Sequence, residues 1–308
     1  MKIAIIGAGG VGGSFGAALA QAGADVTFVA RGAHLAAMRE AGLRVEGGRG
    51  ETVISPVRAT DNIASIGVVD IVLFCVKLWD VETVGERLRP LLGPDTAVIP
   101  LQNGVDAAQR LVELLGSHSV MNGTVMVSAT IDRPGVIRQT GKMMQLTFGE
   151  LDGRITPRAE RFRALCDKAG FDVILSGDIA VPLWVKFIGL TAASGCTALT
   201  RLPIGNLRDD PEIFAWFESV MRETDSVGRA EGVTLPADTV DKLIALTRTL
   251  PPEARASMAV DLSRGNRLEL PWLAGKVVEL GRKHGIPTPS NWGIYVALKP
   301  YANGAPLP

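Results

Sequence analysis

The N-terminal stretch MKIAIIGAGGVGGSFGAALAQAG, residues 1–23, joins a strand-like run to a helix-like run through a glycine-rich turn. The run Lys2–Ile6 is short and rich in isoleucine, which is typical of a buried strand. Glycines at positions 7, 9 and 12 follow it at the spacing GxGxxG, and an alanine-rich run then predicts a helix. This arrangement indicates a strand, a tight turn and a helix that packs closely on the strand.

The chemistry of this turn suits the pyrophosphate of a dinucleotide. We expect Gly7 to form the tight turn, Gly9 to let the backbone approach the pyrophosphate, and Gly12 to pack the helix against the strand. Gly10 and Val11 lie where the predicted helix starts, and the N–H groups at a helix N-terminus attract an anion. The alternative is a glycine-rich turn without a ligand, and the position between strand and helix argues against it.

The second predicted strand ends in an arginine rather than a carboxylate. NAD-binding versions of the turn place an acidic residue there, about 20 residues further on, to hold the ribose hydroxyls. Here Arg31 follows Asp25–Ala30 without a carboxylate next to it in the sequence. A guanidinium can bind a 2′-phosphate through two charge-assisted hydrogen bonds. The sequence therefore predicts NADP(H) as the cofactor, against the simpler interpretation of a solvated arginine.

Strand-like and helix-like runs alternate from Met1 to about Ser176, which predicts an α/β fold with a mostly parallel sheet covered on both faces. Two further runs resemble an antiparallel addition at the sheet edge, Val136–Gln139 and Met144–Gly149. We predict a Rossmann-type doubly wound domain over residues 1–176. Its predicted strands are Lys2–Ile6, Asp25–Ala30, Asp70–Val76, Thr96–Leu101, Val120–Ser128 and Phe171–Leu175. Its predicted helices are Val11–Ala22, His34–Ala41, Val81–Leu92, Val105–Leu115 and Arg158–Ala169.

The chain after Gly177 changes character, because its apolar residues recur at helical spacing. Glycine and proline interrupt it at Leu202–Ile204, Pro251–Pro252 and Ile286–Pro289. We therefore predict an all-helical second domain over residues 177–308. The aromatic stripe Ile213–Met221 is interpreted as core, with a subunit interface as the alternative.

Composition and charge exclude several classes of protein. The 308 residues are 47% hydrophobic and 21% charged, which excludes a disordered protein. The 32 basic and 32 acidic side chains balance, so no basic excess is available for nucleic-acid phosphates. Three widely spaced cysteines fit neither a metal site nor a disulfide framework and indicate a reducing compartment. The sequence shows neither a signal-peptide pattern nor an apolar run of membrane length, so we expect a cytoplasmic protein without membrane or nucleic-acid partners.

Four polar residues stand where a ligand or a proton transfer would need them. Ligands of doubly wound sheets gather at the carboxyl ends of the strands, where Lys77 and Asn103 follow two predicted strands. Their structural alternatives are a solvated lysine and an Asn-Gly turn or helix cap. Lys186 stands among large apolar residues, and burial would lower its pKa and suit it to transfer a proton near neutral pH. Glu269 could pair with it, whereas a snorkelling lysine and an exposed glutamate at a helix start are the alternatives.

These residues together resemble the ketopantoate reductase family. The ordered set extends from Met1 to about Pro289 and comprises Gly7 to Gly12, Arg31, Lys77, Gln102-Asn103-Gly104, Trp184-x-Lys186, Ser257-Met258 with Asp261, and Glu269. The resemblance implies a dinucleotide-binding N-terminal domain and a helical domain for substrate and catalysis. It also implies NADPH-dependent reduction of a 2-keto acid to a 2-hydroxy acid, in the best-known case ketopantoate to pantoate in pantothenate biosynthesis. The sequence leaves open whether the protein forms a homodimer.

The resemblance also implies roles for single residues. The family's catalytic lysine matches Lys186, the general acid that protonates the keto oxygen, and its glutamate matches Glu269, which contacts the substrate hydroxyl and positions the lysine. Asn103 and Lys77 would lie near the nicotinamide and the reacting carbonyl, and Ser257 would bind the substrate. A positioned ammonium would stabilise and then neutralise the negative charge that hydride addition builds on the oxygen.

The sequence departs from the family along the helix that follows the lysine. Family members carry asparagines four and eight residues after it, where this chain has Leu190 and Ser194. A third asparagine falls at Ile204, although Asn206 is close enough to leave that alignment open. The loss of amide hydrogen bonds predicts a site that suits a more apolar 2-keto acid than ketopantoate.

Two other functions stay open at this point. The same fold could reduce an imine C=N bond, since that reaction also needs a proton on the product nitrogen. A protein that senses NADP(H) without catalysis would need the cofactor site alone, and the presence of Lys186 and Glu269 argues against it.

Overall fold

The computed structural model describes residues 1–305. They form two compact units, the first comprising Met1–Gln102 and Asp106–Ile179, the second comprising Asn103–Val105 and the chain from Ala180 onward. Residues 306–308, the end of the predicted second domain, lie outside the described residues. Hydrophobic clusters fill each unit, two in the first and one in the second.

The first unit contains strands and helices in alternation. The strands are β1 (Lys2–Ile6), β2 (Asp25–Val29), β3 (Leu43–Gly47), β4 (Gly50–Ile54), β5 (Arg58–Thr60), β6 (Ile71–Phe74), β7 (Ala97–Pro100), β8 (Met121–Arg133), β9 (Val136–Glu150) and β10 (Asp172–Leu175). The helices are α1 (Gly10–Gln21), α2 (Gly32–Ala41), α3 (Val81–Gly85), α4 (Ala107–Leu115) and α5 (Pro157–Lys168). Short 3₁₀ turns cover Ile63–Ser65, Leu78–Asp80, Glu86–Leu91 and Ser117–Ser119.

Five strands form a wholly parallel sheet in the order β5-β2-β1-β6-β7. The central strands β1 and β6 are buried along nearly their whole length, because helices cover the sheet. The chain runs outward from β1 in one direction and then returns to β6 on its other side, so the carboxyl ends of β1 and β6 flank the point where such sheets bind ligands. The predicted α/β fold with a Rossmann-type sheet is confirmed.

A second sheet corrects the expectation of a single, mostly parallel one. It is mixed, has the order β10-β9-β3-β4, and carries β8 paired antiparallel with β9. The two predicted edge pieces are one long strand, β9, which a tight turn at Pro134-Gly135 folds back along β8. Such a turn allows only antiparallel pairing. The hairpin β3–β4 and the short strand β5 were not predicted, because their half-exposed residues show no apolar run.

Helix α1 consists mainly of small residues because it is enclosed between the two sheets. It packs on β1 and β2 on one side and on β8 and β9 on the other. A Cβ on Gly16 would lie 2.4 Å from Phe28 Cε1, and one on Gly13 would lie 1.9 Å from Ile137 Cδ1. At Gly16 the ring of Phe28 leaves no room for a side chain, so close packing requires glycine there, whereas a side chain at Gly13 would displace the flexible end of Ile137.

The second unit is helical, as predicted, and no strand occurs in residues 180–305. The predicted interruptions by glycine and proline separate consecutive helices. These are α6 (Ala180–Thr200), α7 (Ile204–Asp209), α8 (Pro211–Ala230), α9 (Thr239–Thr249), α10 (Ser257–Ser263), α11 (Ala274–His284) and α12 (Pro289–Leu298), with 3₁₀ turns at Leu270–Trp272 and Lys299–Tyr301.

Helix α6 is the centre of the second unit and packs against α8, α10 and α12. Phe214 and Phe217 of α8 are buried in the same core, so the interpretation of the aromatic stripe as core is confirmed. By length and composition α6 could cross a membrane, contrary to the expectation that no apolar run is long enough. However, 61% of its apolar window is buried inside the structure.

Candidate active site

The turn after β1 has the three properties that the glycine spacing predicts. Gly7 has φ of +99°, a left-handed conformation that other residues avoid. A Cβ on Gly12 would lie 2.2 Å from the carbonyl oxygen of Gly7, so the helix approaches the turn too closely for any side chain. Gly9 faces open space, since within residues 1–305 no atom beyond the glycine and its chain neighbours lies within 4 Å of the position that its Cβ would take.

The start of α1 is suited to an anion. Gly9 is the N-cap residue, no side chain caps the helix, and its first turn contains no acidic residue. The first N–H groups of a helix lack partners within the helix and lie at the positive end of its dipole. A Cβ on Gly10 would lie 2.0 Å from the carbonyl oxygen of Ala129, so β8 supports the helix directly behind these groups. The residues present therefore fit the pyrophosphate of a dinucleotide.

Arg31 lies at the carboxyl end of β2, where it is the N-cap residue of α2. Its side chain is 80% exposed and makes an ion pair of 3.3 Å with Asp80. An exposed pair of this length contributes little to stability, so the guanidinium can turn toward a ligand at small energetic cost. Asp80 was not singled out from the sequence, because 49 residues separate it from Arg31.

Gln102 belongs to the Gln-Asn-Gly motif and holds the backbone at the end of β6. Its Nε2 donates hydrogen bonds to the carbonyl oxygens of Phe74, at 2.8 Å, and Val76, at 3.0 Å. The side chain is buried and fixes the backbone directly before Lys77. Lys77 itself is exposed, and its ammonium lies 5.6 Å from the ring centre of Trp79. A glutamine directly after a buried strand is the sequence signal that could have suggested this role.

His34 is another residue beside the glycine turn to which the sequence patterns assign no role. Its Nε2 lies 2.9 Å from the carbonyl oxygen of Ala8 in the glycine turn. Its Nδ1 accepts a hydrogen bond of 3.0 Å from the backbone N–H of Gly135, in the turn between β8 and β9. No spacing in the sequence relates these three positions.

In the second unit, Asn103 joins the two residues that were predicted to be catalytic. Lys186 Nζ donates to Asn103 Oδ1 at 3.2 Å, and Asn103 Nδ2 donates to Glu269 Oε2 at 3.1 Å. The orientation of the amide is unambiguous, because an ammonium can only donate and an ionised carboxylate can only accept. The three residues form a row of hydrogen bonds although 83 and 166 positions separate Asn103 from its partners.

The surroundings of Lys186 lower the pKa of its ammonium. It lies in the second turn of α6 and is half-buried. Burial lowers its pKa to about 8, while the negative charge of Glu269 opposes that shift. Glu269 is 7% exposed and directly precedes the turn Leu270–Trp272. The alternatives of a snorkelling lysine and an exposed glutamate therefore do not describe these residues.

The predicted substrate residues differ in accessibility. Ser257 begins α10, which packs against α6, and is exposed. Leu190 is half-buried one turn after Lys186 and packs against the core of the unit. Ser194 is fully buried, and its hydroxyl has no hydrogen-bond partner within residues 1–305. A substrate could reach Ser194 only if neighbouring side chains moved.

The alternatives for the third family asparagine also differ. Ile204 is 2% exposed and belongs to the core of the second unit, whereas Asn206 on α7 is exposed.

One of the three cysteines adjoins the glycine turn, since a Cβ on Gly12 would lie 3.1 Å from the Cβ of Cys75. Cys166 and Cys196 are buried and Cys75 is half-buried, and burial raises the pKa of each thiol. Across residues 1–305, no three His, Cys, Asp or Glu side chains form a group that could hold a metal ion.

Comparison with known proteins identifies the family. The model of the family described as ketopantoate reductase PanE/ApbA matches residues 3–153, and the model of its C-terminal part matches residues 178–302. The 2-dehydropantoate 2-reductase of Mesorhizobium japonicum is 34% identical over 94% of both chains. That of Caulobacter vibrioides is 32% identical and covers 96% of this chain and 97% of its own.

A solved structure extends the similarity to three dimensions. The PanE/ApbA family ketopantoate reductase of Ralstonia eutropha is 34% identical, covers 98% of each chain and superposes with a TM-score of 0.90. Enzymes of this kind are oxidoreductases that act on a CH–OH group. Because the family models span nearly the whole chain and the fold agrees throughout, the chain belongs to the ketopantoate reductase family.

Proposed function

We propose that this protein reduces a 2-keto acid to a 2-hydroxy acid with NADPH, in the manner of a 2-dehydropantoate 2-reductase. The observation that carries the proposal is the row formed by Lys186, Asn103 and Glu269, in which burial lowers the pKa of the lysine to about 8. An ammonium with this pKa is a proton donor poised near neutral pH, which the reduction of a carbonyl requires.

The cofactor proposal is NADP(H) rather than NAD(H). Gly7, Gly9, Gly10, Val11 and Gly12 would hold the pyrophosphate at the start of α1. Arg31 would bind the 2′-phosphate, since it is exposed at the carboxyl end of β2 and no acidic residue adjoins it in the sequence. Lys77, fixed in the chain by Gln102, and Asn103 would contact the nicotinamide half.

When bound, NADPH would supply the hydride that the keto carbon needs. Lys186 transfers its proton to the keto oxygen as negative charge develops there, and water later returns a proton to the lysine. Asn103 holds the ammonium through its Oδ1, so the lysine has one preferred direction before substrate binds. Glu269 keeps the lysine more protonated than burial alone would and accepts a hydrogen bond from the substrate hydroxyl.

The substrate proposal is a 2-keto acid whose side chain is more apolar than that of ketopantoate. Leu190 lies one turn beyond Lys186 and can offer only apolar contact. Ser257 would bind a polar group of the substrate, and Ser194 would do so only after local movement. Ketopantoate stays within the proposal, because gains elsewhere could offset about 0.5 to 1.5 kcal/mol for each lost hydrogen bond.

We also propose a division of labour along the chain. Residues 1–176 would bind NADP(H), and residues 177–308 would bind the keto acid and supply the catalytic lysine.

A cytoplasmic location fits the three cysteines, all of them free thiols. We propose a homodimer, which light scattering would detect as about twice the chain mass of 32.6 kDa.

The proposal is tested by NADPH oxidation with ketopantoate and a series of apolar 2-keto acids such as 2-oxoisovalerate. We expect turnover of at least one keto acid, with higher kcat/KM for the apolar acids. Lys186→Met should lower kcat by about 10² to 10⁴-fold, because the general acid is lost. Lys242→Met, which changes a lysine of α9 whose side chain is 72% exposed, is the control and should retain activity. Equal kcat for Lys186→Met and the unchanged protein would refute the mechanism.

A further inference from the structure

His34 ties together three segments of the first unit that are distant in sequence. It lies on α2, its Nε2 is 2.9 Å from the carbonyl oxygen of Ala8, and its Nδ1 is 3.0 Å from the N–H of Gly135. The ring is half-buried between the glycine turn and the turn that joins β8 to β9. A side chain in this position can control the orientation of the glycine turn.

The direction of each hydrogen bond follows from chemistry. A backbone N–H can only donate, so Nδ1 of His34 is the acceptor from Gly135. The ring proton is therefore on Nε2, which donates to the carbonyl oxygen of Ala8. Burial lowers the pKa of His34, which favours this neutral form, although the bond to Ala8 opposes the shift. The contact with Gly135 thus selects the tautomer that the contact with Ala8 needs.

This contact also fixes the next peptide group. In a trans peptide the carbonyl of one residue and the N–H of the following residue point in opposite directions. Because the Ala8 carbonyl is directed at His34, the N–H of Gly9 is directed away from it. The Ala8 N–H donates to the carbonyl oxygen of Val29 at 2.9 Å, so Ala8 is held on both sides. Gly9, whose missing Cβ leaves open space, is then free to face a ligand.

We propose that His34 is a positioning residue for the cofactor: it orients the peptide between Ala8 and Gly9 so that the Gly9 N–H donates to the pyrophosphate. The inference deepens the proposed function and rests on it, since it concerns the same dinucleotide site. His34 does not touch the cofactor in this proposal. It acts through Nε2, which donates to Ala8, whereas Nδ1, which accepts from Gly135, sets the tautomer.

Two amide substitutions test the contacts of the two ring nitrogens separately. In His34→Gln the side-chain amide nitrogen can occupy the position of Nε2 and donate to Ala8. In His34→Asn the amide oxygen can occupy the position of Nδ1 and accept from Gly135, but nothing reaches Ala8. His34→Ala removes both contacts. His118→Ala is the matched control, because His118 also contacts a backbone carbonyl, that of Pro94 at 2.6 Å, in the same unit.

The test measures the Kd for NADPH by fluorescence titration without substrate, together with the Tm of each variant without ligand. Loss of the hydrogen bond to Ala8, which both variants share, predicts that His34→Ala and His34→Asn bind NADPH about 2- to 13-fold more weakly. His34→Gln should bind within about twofold of the unchanged protein, on the same reasoning, and His118→Ala should match it.

The outcomes distinguish a failure of the proposed function from a failure of the role proposed for His34. If the unchanged protein binds no NADPH, the proposed function fails and this inference fails with it. If the unchanged protein binds NADPH and His34→Ala binds it equally well, only the role of His34 is overturned. If Gln and Asn weaken binding alike and in proportion to their loss of Tm, His34 supports the fold without orienting Gly9, and the inference is likewise overturned.

Discussion

At the scale of single residues, the chemistry of the site depends on how two opposing influences balance at Lys186. Burial lowers the pKa of its ammonium to about 8, and the carboxylate of Glu269 opposes that change. Asn103 adds no charge to this balance but lies between the two and hydrogen-bonds to both. The lysine thus stays protonated near neutral pH and yet gives up its proton readily.

This balance predicts a pH dependence with a defined sign. A general acid works in its protonated form, which predominates below its pKa, so kcat/KM should fall as pH rises through about 8. Glu269→Gln removes the charge that opposes the shift, so the midpoint should move to lower pH by about one pH unit. The measurement is kcat/KM against pH for both proteins.

The control for this profile is Glu279→Gln, the same change at an exposed carboxylate of α11 that pairs with Lys276. Its midpoint should equal that of the unchanged protein. An unaltered midpoint in Glu269→Gln would show that Glu269 does not act on the lysine.

At the scale of elements, the sequence predicts best those strands and helices whose secondary structure follows from the local pattern of apolar residues alone. β1 was predicted with its observed bounds, because five residues with an apolar core lead directly into a glycine turn. α3 was predicted too long, since the chain tightens into a 3₁₀ turn at Glu86–Leu91, which contains Pro90. The mixed second sheet was not predicted, because strand pairing depends on residues far apart in sequence. The periodicity of apolar residues along the chain does not show which strands pair.

The contacts among the candidate site residues were predictable only in part. Lys186 and Glu269 stand out in sequence because charged residues are rare among large apolar neighbours. The bridging contacts of Asn103 and both contacts of His34 join positions at least 26 residues apart and could not be predicted from local patterns.

Helix α6 allows a test of substrate selection with a control on the same element. Leu190→Asn restores an amide one turn after Lys186, and we expect it to raise kcat/KM for ketopantoate relative to 2-oxoisovalerate by about 2- to 13-fold, the value of one hydrogen bond. Leu199→Asn makes the same change at another half-buried leucine of α6. Nine residues apart, the two positions face opposite sides of the helix.

The ratio of the two kcat/KM values is the measured quantity, because it cancels a general loss of active protein. Leu199→Asn should leave this ratio unchanged. Equal ratios in Leu190→Asn and the unchanged protein would mean that Leu190 does not contact the part of the substrate in which the two acids differ.

At the scale of the whole molecule, cofactor binding and stability are linked. A ligand that binds only the folded state stabilises it by RT ln(1 + [L]/Kd), about 2.7 kcal/mol at a concentration of 100 Kd. The shift in Tm therefore reports affinity without any need for turnover. Because the 2′-phosphate is the only difference between NADPH and NADH, the difference between their shifts isolates the contribution of the residue that binds this phosphate.

This linkage gives the last prediction, which concerns Arg31. NADPH should raise Tm more than NADH at equal concentration, and Arg31→Ala should reduce the NADPH shift to that of NADH while leaving the NADH shift unchanged. Without ligand, Arg31→Ala should melt like the unchanged protein, since the side chain is 80% exposed. Arg39→Ala, at an exposed arginine within α2 that pairs with Asp61 at 3.5 Å, should keep the full difference. Equal shifts for NADPH and NADH in the unchanged protein would instead assign the site to NAD(H), and Arg31 would then be a solvated residue at the start of α2.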